Sequence, residues 1–246
     1  LQQYSREART IFETTVASSE QEVIVLAEDL VQYALEVAES YPIDRRFAGF
    51  IDYKRVRWLA SPYGIFPQVL LVDAKASTEN TRETLQASQL PMDAEFRARD
   101  GSIHTMPAGI PPHLALPTTD GDSLVALTTS IFVHFYYERT VNDAGRVRRL
   151  KDIFLLSLPH QSLKDRYNPN PDQTFFGQGK HSPARLEVPR IRVYFTRLRQ
   201  ACPWRLQRLH YEEGNEYTEP VWCDLDQSGL PTVQPFAYIG RGTSTI

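Results

Sequence analysis

The segment Gln68–Ser77, with the sequence QVLLVDAKAS, constrains the fold more than any other part of the chain. A run of four apolar residues that ends in an acid is typical of a central strand buried in a sheet. Successive side chains of a strand point to opposite faces, so Asp73 and Lys75 project together, about 6.6 Å apart along the strand, while Ala74 turns away. The segment therefore predicts a carboxylate and an ammonium group that share one pocket.

A second acid closes another apolar run nearby. The segment Phe47–Asp52 is predicted to form a neighbouring strand, which would bring Asp52 beside Asp73. Mg²⁺ prefers oxygen and usually takes one or two protein carboxylates, so we expect it to bind both acids and the backbone carbonyl of Ala74. Lys75 is expected to orient an activated water and to stabilise negative charge on phosphorus. This arrangement predicts hydrolysis of a phosphodiester.

The spacing of an acid and a lysine is not specific by itself. The same pattern occurs at Asp52 and Lys54, but residues 55–58 alternate between basic and apolar side chains, which favours a strand with one wet face. We therefore place the lysine of the site at Lys75. From the spacing alone, an ordinary ion pair at the end of a strand remains an open alternative.

The charge of the chain is divided sharply along its length. The formal net charge is -3, yet residues 146–210 carry 14 Lys and Arg against 4 Asp and Glu. Eleven of these 14 are arginine, the side chain that makes bidentate contacts with phosphate and with guanine. Such a segment favours binding to nucleic acid. The alternative is a solvated surface with its charge partners elsewhere in the chain.

Two arginines of this segment are candidate DNA contacts. Arg190 and Arg192 alternate with apolar residues in a predicted strand, so their guanidinium groups share one face and could lie side by side in a major groove. The alternative is an edge strand protected by charge. Lys180 and Arg185 precede this strand in the same basic segment.

The bulk properties indicate one domain, residues 1–246, with a single substantial core. The two cysteines, Cys202 and Cys223, are too few for a disulfide framework, and no apolar run approaches the length of a membrane span. No secretory signal is present, which predicts a cytoplasmic protein without a membrane partner. The chain begins at Leu1, which indicates that its natural start is missing.

Local patterns predict the order of the elements. Helices are expected at residues 3–12, 19–40, 78–88 and 194–210, a hairpin from strands 130–137 and 153–158, and a long loop at 92–119. Glu28 and Asp29 lie off the apolar stripe of the second helix. Either could supply an outer oxygen to the metal site, although exposure to solvent is favoured.

Whole phrases of the sequence resemble the type II restriction endonucleases, and the similarity runs from near Leu1 to about Trp222. The phrases that carry it are FAGFIDYKRVRW from Phe47, QVLLVDAKAST from Gln68, SQLPMDAEF from Ser88, TSIFVHFYY from Thr129, RYNPNPDQTFFGQGKHSPAR from Arg166, RIRVYF from Arg190 and ACPWRLQ from Ala201. They are far more specific than an acid and a lysine. The resemblance therefore makes a nuclease the leading hypothesis.

The resemblance implies a fold and a site. The implied fold is the α/β core of PD-(D/E)XK nucleases, a mixed central sheet flanked by helices. The metal-binding aspartates of the family fall on Asp52 and Asp73, and its catalytic lysine falls on Lys75. The base-reading arginines are matched by Arg190 and Arg192, and Lys180 and Arg185 are expected to lie near the DNA. The proline that often precedes the first acid is replaced by isoleucine, which removes no ligand.

The resemblance also implies an activity and an assembly. These are Mg²⁺-dependent double-strand cleavage at an interrupted GC-rich palindrome, such as GGCC, five unread base pairs and GGCC, and a homotetramer that holds two DNA sites. A palindrome read by identical subunits requires at least a dimer. Two other hypotheses stay open at this point. One is a DNA-binding module without catalysis, and the other is a resolvase or repair nuclease that cuts by DNA structure.

Overall fold

The computed structural model describes residues 5–14, 20–37, 41–42, 56–59, 68–142, 145–179, 190–211, 221–225 and 231–233. The helices are α1 Ser5–Thr14, α2 Glu20–Val37, α3 Lys164–Tyr167 and α4 Phe195–Ala201. The strands are β1 Tyr41–Pro42, β2 Val56–Leu59, β3 Gln68–Ser77, β4 Arg82–Gln86, β5 Ala94–Arg97, β6 Ile103–Met106, β7 His113–Pro117, β8 Ser123–Asn142, β9 Gly145–Leu158, β10 Phe176–Gln178, β11 Arg190–Tyr194, β12 Leu206–His210, β13 Val221–Leu225 and β14 Pro231–Val233.

A nine-stranded mixed sheet forms the centre of the described structure. Its strands follow the order β1-β2-β3-β8-β9-β12-β13-β14, and β7 pairs with part of β8. β3 and β8 run parallel along the whole of β3, whereas the other neighbouring strands are antiparallel. The predicted hairpin is confirmed as β8 and β9, and both strands are longer than the sequence pattern indicated.

The two long N-terminal helices cover one face of this sheet. Their apolar stripes supply Phe12 from α1 and Ala27 from α2, which are 1% and 0% exposed. These residues pack with Val72 and Ala74 of β3 and with apolar residues of β8 and β9. Burial of this apolar area stabilises the layer. The helices predicted at residues 3–12 and 19–40 are confirmed as α1 and α2, and their ends lie within three residues of the predicted ones.

A smaller sheet covers the opposite face. It has three antiparallel strands in the order β10-β11-β4, and it packs with α4 against β8 and β9. Leu85 of β4, Ile191 of β11 and Phe132 of β8 lie in the same apolar cluster and are almost completely buried. Helices thus flank the central sheet on one side, and a second sheet with a short helix flanks it on the other.

Three predicted elements differ from the structure. Residues 78–88 contain the strand β4, not a helix, because Leu85 and Glu83 alternate with more exposed neighbours and the strand pairs with the distant β11. Residues 92–119 are not one loop but contain β5, β6 and β7, each satisfied by an antiparallel partner. The helix predicted at 194–210 ends at Ala201, a 3₁₀ turn begins at Pro203, and the chain continues as β12 because it pairs with β9.

Membrane insertion through a helix is not supported by the described elements. Within the ranges given above, each helix is too short or too polar to cross a bilayer.

Candidate active site

A buried ion pair lies on the face of β3 that turns toward the small sheet. Lys75 Nζ lies 2.8 Å from Asp73 Oδ2, and the side chain of Asp73 is completely buried while that of Lys75 is 21% exposed. Ala74 faces the helical layer, as the period of two requires. The predicted pairing of Asp73 and Lys75 on one face is confirmed.

Several carboxylates determine the charge state of Lys75. Burial by itself lowers the pKa of this lysine, but the carboxylates of Asp73, Glu83 and Glu28 act against burial and leave the pKa raised above its ordinary value of 10.5. The amine is therefore an ammonium ion at neutral pH. It can donate hydrogen bonds and stabilise anionic oxygen, but it has no lone pair with which to act as a base.

Gln89 contributes a second donor to the same carboxylate. Its Nε2 donates to Asp73 Oδ2 over 2.7 Å, and Gln89 is 0% exposed. The residue ends the 3₁₀ turn Ala87–Gln89 that follows β4. Sequence reasoning missed Gln89, because a lone glutamine beyond an apparent helix carries no signal for a site on another strand.

A buried histidine and glutamate lie beside the lysine. His134 of β8 stands opposite Lys75 in the parallel register, and its Nδ1 contacts a carboxylate oxygen of Glu83 on β4. The other ring nitrogen, Nε2, lies 2.7 Å from the carbonyl oxygen of Glu79. Both ring nitrogens therefore have an oxygen atom within hydrogen-bond distance. This contact ties the small sheet to the central sheet next to the candidate site.

The first predicted acid, Asp52, lies outside the described residues. β2 begins at Val56, four positions later, and pairs Val56 with Leu71, two positions before Asp73. Within the described part of the chain, no group of three or more His, Cys, Asp or Glu side chains could hold a metal ion. A metal site at Asp73 would therefore need a ligand from elsewhere, and Asp52 is the candidate.

The second helix presents its two acids differently. Asp29 is exposed, as the sequence favoured, and Glu28 is partly buried. Glu28 lies close enough to Lys75 for its charge to help raise the pKa of that lysine. The expectation of exposure is therefore wrong for Glu28 and confirmed for Asp29.

The two predicted base-reading arginines lie on β11. This strand is the central one of the small sheet, with β10 on one side and β4 on the other, so the alternative of a charge-protected edge strand is wrong. Arg190 is partly exposed, whereas Arg192 is 7% exposed. The Nε of Arg192 is buried and has no hydrogen-bond partner within the described residues. Lys180 and Arg185 lie outside the described residues.

A positively charged cleft of about 740 Å³ opens beside the far end of β11. The residues that line it include Arg97, Arg99, Arg166, Tyr194 and Arg197. Arg197 stacks over the ring of Tyr194, with its guanidinium carbon 4.7 Å from the ring centre. Neither member of the buried ion pair lines this cleft. The cleft adds positive surface, whereas the buried ion pair lies on β3.

Other arginines of the basic segment have structural partners. Arg208 of β12 lies 2.7 Å from Asp152 of β9, and His210 lies 2.8 Å from the same carboxylate. The guanidinium of Arg208 also packs over the ring of Phe154. Part of the positive charge of residues 146–210 is therefore neutralised inside the fold.

The chain is similar to known restriction enzymes over almost its whole length. A family model described as type II restriction enzyme SfiI matches residues 8–209. The chain is 65% identical over 242 residues to the type II restriction enzyme SfiI of Streptomyces fimbriatus, covering 98% of this chain and 90% of the relative.

Two solved structures share the fold. The tetrameric restriction endonuclease SfiI bound to cognate DNA superposes with a TM-score of 0.81 at 65% identity, covering 98% of this chain and 90% of that one. The restriction endonuclease BglI bound to its DNA recognition sequence superposes with a TM-score of 0.62 at 15% identity, covering 85% of each chain. At that identity the likeness to BglI concerns the fold alone.

Proposed function

The chain belongs to the family of the type II restriction enzyme SfiI, and from that premise we propose that Asp52, Asp73 and Lys75 form its phosphodiester-cleaving centre. The observation that carries the proposal is the buried pair on β3. Asp73 is 1% exposed and receives hydrogen bonds from an ammonium and an amide. A carboxylate held in this way beside a charged lysine is suited to hydrolysis of an anionic substrate.

The donor atoms fit a hard cation. Asp73 offers a carboxylate, Ala74 a backbone carbonyl and Asp52 a second carboxylate, which is the oxygen set that Mg²⁺ prefers. The register of β2 supports Asp52, because it brings the chain beside β3 close to Asp73. When bound, Mg²⁺ would lower the pKa of a water ligand and offset charge on the phosphate.

Lys75 and Asp73 have different roles in the proposed reaction. The raised pKa of Lys75 keeps its amine charged, so this residue orients the attacking water and stabilises the negative charge that develops on phosphorus. Asp73 fixes the ammonium group through the 2.8 Å contact. Because both side chains extend from one central strand, their relative position is set by the sheet.

Arg190 and Arg192 are proposed to read the DNA bases. They occupy alternate positions on the central strand of the small sheet, so their side chains leave the same face. Within the described ranges the buried Nε of Arg192 has no hydrogen-bond partner, which supports a role in binding a ligand. Lys180 and Arg185 are proposed as nearby DNA contacts. We propose a GC-rich interrupted palindrome, because arginine forks match guanine O6 and N7.

The proposed assembly is a homotetramer that binds two DNA sites in the bacterial cytoplasm. The similar SfiI structure is tetrameric and bound to cognate DNA. A palindrome requires at least two identical reading surfaces, and two dimers would engage two palindromes.

Cleavage of phage DNA by purified variants tests the centre. Asp73→Asn and Lys75→Ala are expected to abolish cleavage in Mg²⁺ while binding measured by gel shift survives. Asp29→Asn, which removes an exposed acid from α2, is the matched control and should cut like the wild type. EDTA should stop cleavage and added Mg²⁺ should restore it. Undiminished cutting by Asp73→Asn or Lys75→Ala would remove the assignment.

The fragments from the same digest test the specificity. Discrete bands with ends at one GC-rich sequence are expected. Intact DNA would indicate a binding module, and cuts that follow branches or damage would indicate a resolvase or repair nuclease.

A further inference from the structure

The side chain of Gln89 bridges the small sheet and the candidate catalytic carboxylate. Its Nε2 donates to Asp73 Oδ2 over 2.7 Å, and its Oε1 accepts from the backbone N–H of Gln86 over 3.0 Å. The two bonds use opposite ends of one planar amide, so they also fix which end faces Asp73. A shift of the Gln86 backbone would therefore move the Gln89 amide and, with it, the hydrogen bond to the Asp73 carboxylate.

The turn that carries Gln89 is held from its other side by the segment around Gly109. The N–H groups of Gly109 and Ile110 both donate to the carbonyl of Leu90, over 2.9 and 3.0 Å. The backbone contact is so close that a Cβ on Gly109 would lie 2.4 Å from the Cα of Ser88. The turn has little room to move without changing the direction of the amide.

Gln86 connects the same amide to the recognition strand. It is the last residue of β4, and it stands directly opposite Arg190 in the antiparallel register of β4 and β11. A continuous path thus runs from the backbone of Arg190 through Gln86 and Gln89 to Asp73. Each step is a backbone pairing or a hydrogen bond. A displacement of β11 would therefore change the orientation of the Asp73 carboxylate.

We propose that Gln89 is a positioning residue that couples base reading by β11 to the orientation of Asp73. This inference rests on the proposed function of Asp73 and Arg190. With the correct sequence, β11 and β4 hold Gln86 where the Gln89 amide orients the carboxylate. With a wrong base pair, β11 and β4 take a slightly different position and the Gln89 amide rotates. The cleavage rate then falls by a larger factor than the binding affinity. Groups that orient a ligating carboxylate typically contribute tenfold to a hundredfold.

Two variants of Gln89 distinguish its hydrogen bond to Asp73 from its hydrogen bond with Gln86. Gln89→Glu keeps the size of the side chain and the oxygen that accepts from Gln86, but it loses the donor to Asp73. Gln89→Met keeps the length and loses both bonds. Gln207→Met is the matched control, because Gln207 is an exposed glutamine on β12. Urea unfolding and gel-shift affinity in Ca²⁺ establish that each variant folds and binds DNA.

The measurement is the single-turnover cleavage rate, at saturating enzyme, on two duplexes. One contains the GGCC half-sites, and the other has one G·C pair replaced by A·T. Both Gln89 variants are expected to cut the first duplex about 10-fold to 100-fold more slowly, with affinity changed less than about threefold and with a smaller ratio between the two cleavage rates. The smaller ratio is the signature of coupling, because a purely structural defect lowers both rates by the same factor.

Each outcome decides the proposal. An unchanged ratio overturns it, whether the two rates fall together or stay at the wild-type level. If Gln89→Met does not fold, the isosteric Gln89→Glu carries the test. Asp73→Asn in the same assay distinguishes the two levels of inference. If it cuts normally, the assignment of the centre is wrong. If it is inactive while the Gln89 variants discriminate like the wild type, only the coupling is wrong.

Discussion

Replacing His134 with leucine tests whether the buried contact between β4 and β8 stabilises the protein. The side chain of His134 is 0% exposed, and that of Glu83 is 8% exposed. The imidazole also packs against Phe154 and Phe195, with ring centres 5.9 and 5.4 Å away. Leucine has a similar volume and can keep this packing, so the substitution removes mainly the polar contacts.

The expected loss follows from what His134→Leu leaves behind. Leaving a buried polar group without its hydrogen-bond partner typically costs about 1–3 kcal/mol. Glu83 keeps a bond from the N–H of Thr84 at 2.6 Å, and the charge of Lys75 is nearby. We therefore expect a decrease of about 2 kcal/mol in the free energy of unfolding, in the middle of that range.

A double variant isolates the contact. His134→Leu combined with Glu83→Leu removes both polar groups, and the combined loss should be smaller than the sum of the single losses by about 1–3 kcal/mol. Urea unfolding followed by tryptophan fluorescence measures all four proteins, at one protein concentration because assembly is linked to stability. A loss below about 1 kcal/mol for His134→Leu, or additive single losses, would refute the reasoning.

Three further predictions concern other parts of the fold. Gly179→Ala should weaken DNA binding in a gel shift, because a Cβ there would lie 2.4 Å from the backbone oxygen of Arg190 and displace β11; unchanged affinity would contradict this. Asp152→Asn should lower the free energy of unfolding in urea by about 2 kcal/mol, because asparagine keeps an acceptor oxygen but loses the negative charge that strengthens the contacts with Arg208 and His210; stability equal to the wild type would count against it. Burial raises the pKa of the Cys202 thiol to about 11, so in a Cys223→Ser protein at pH 8 iodoacetamide should label it roughly 100-fold more slowly than in urea, as measured by mass spectrometry. Equal labelling rates in the two conditions would show that the thiol is accessible. Because the thiol ionises at lower pH in the unfolded chain than in the folded protein, the free energy of unfolding should also decrease as the pH rises from 9.0 to about 11.

Much of the site could be predicted because its signal is local. Side chains of a strand alternate between its two faces, so Asp73 and Lys75 lie on the same face of β3. The four apolar residues before Asp73 identify that strand as central. The helical spacing of apolar residues also predicted α1 and α2. The alternation of Arg190 and Arg192 with apolar residues likewise identified β11 as a strand.

The errors occurred where distant partners decide the local structure. The polar segment around Leu85 resembled a helix, and it is a strand because its backbone pairs with β11, more than 100 residues away in the sequence. Residues 206–210 completed a helical pattern, but the pairing of β12 with β9 overrides that preference. β propensity depends on neighbouring strands more than helix propensity depends on its context.

The sequence by itself determined that Asp73 and Lys75 share one face of β3, and it determined the family to which the chain belongs. Only the tertiary structure decided what surrounds that pair. Gln89 reaches Asp73 across 16 positions, and His134 reaches Glu83 across 51. The direction of a side chain within a strand follows from the geometry of its own backbone. Which side chains meet above the strand depends on the packing of two sheets, and no local period in the sequence records it.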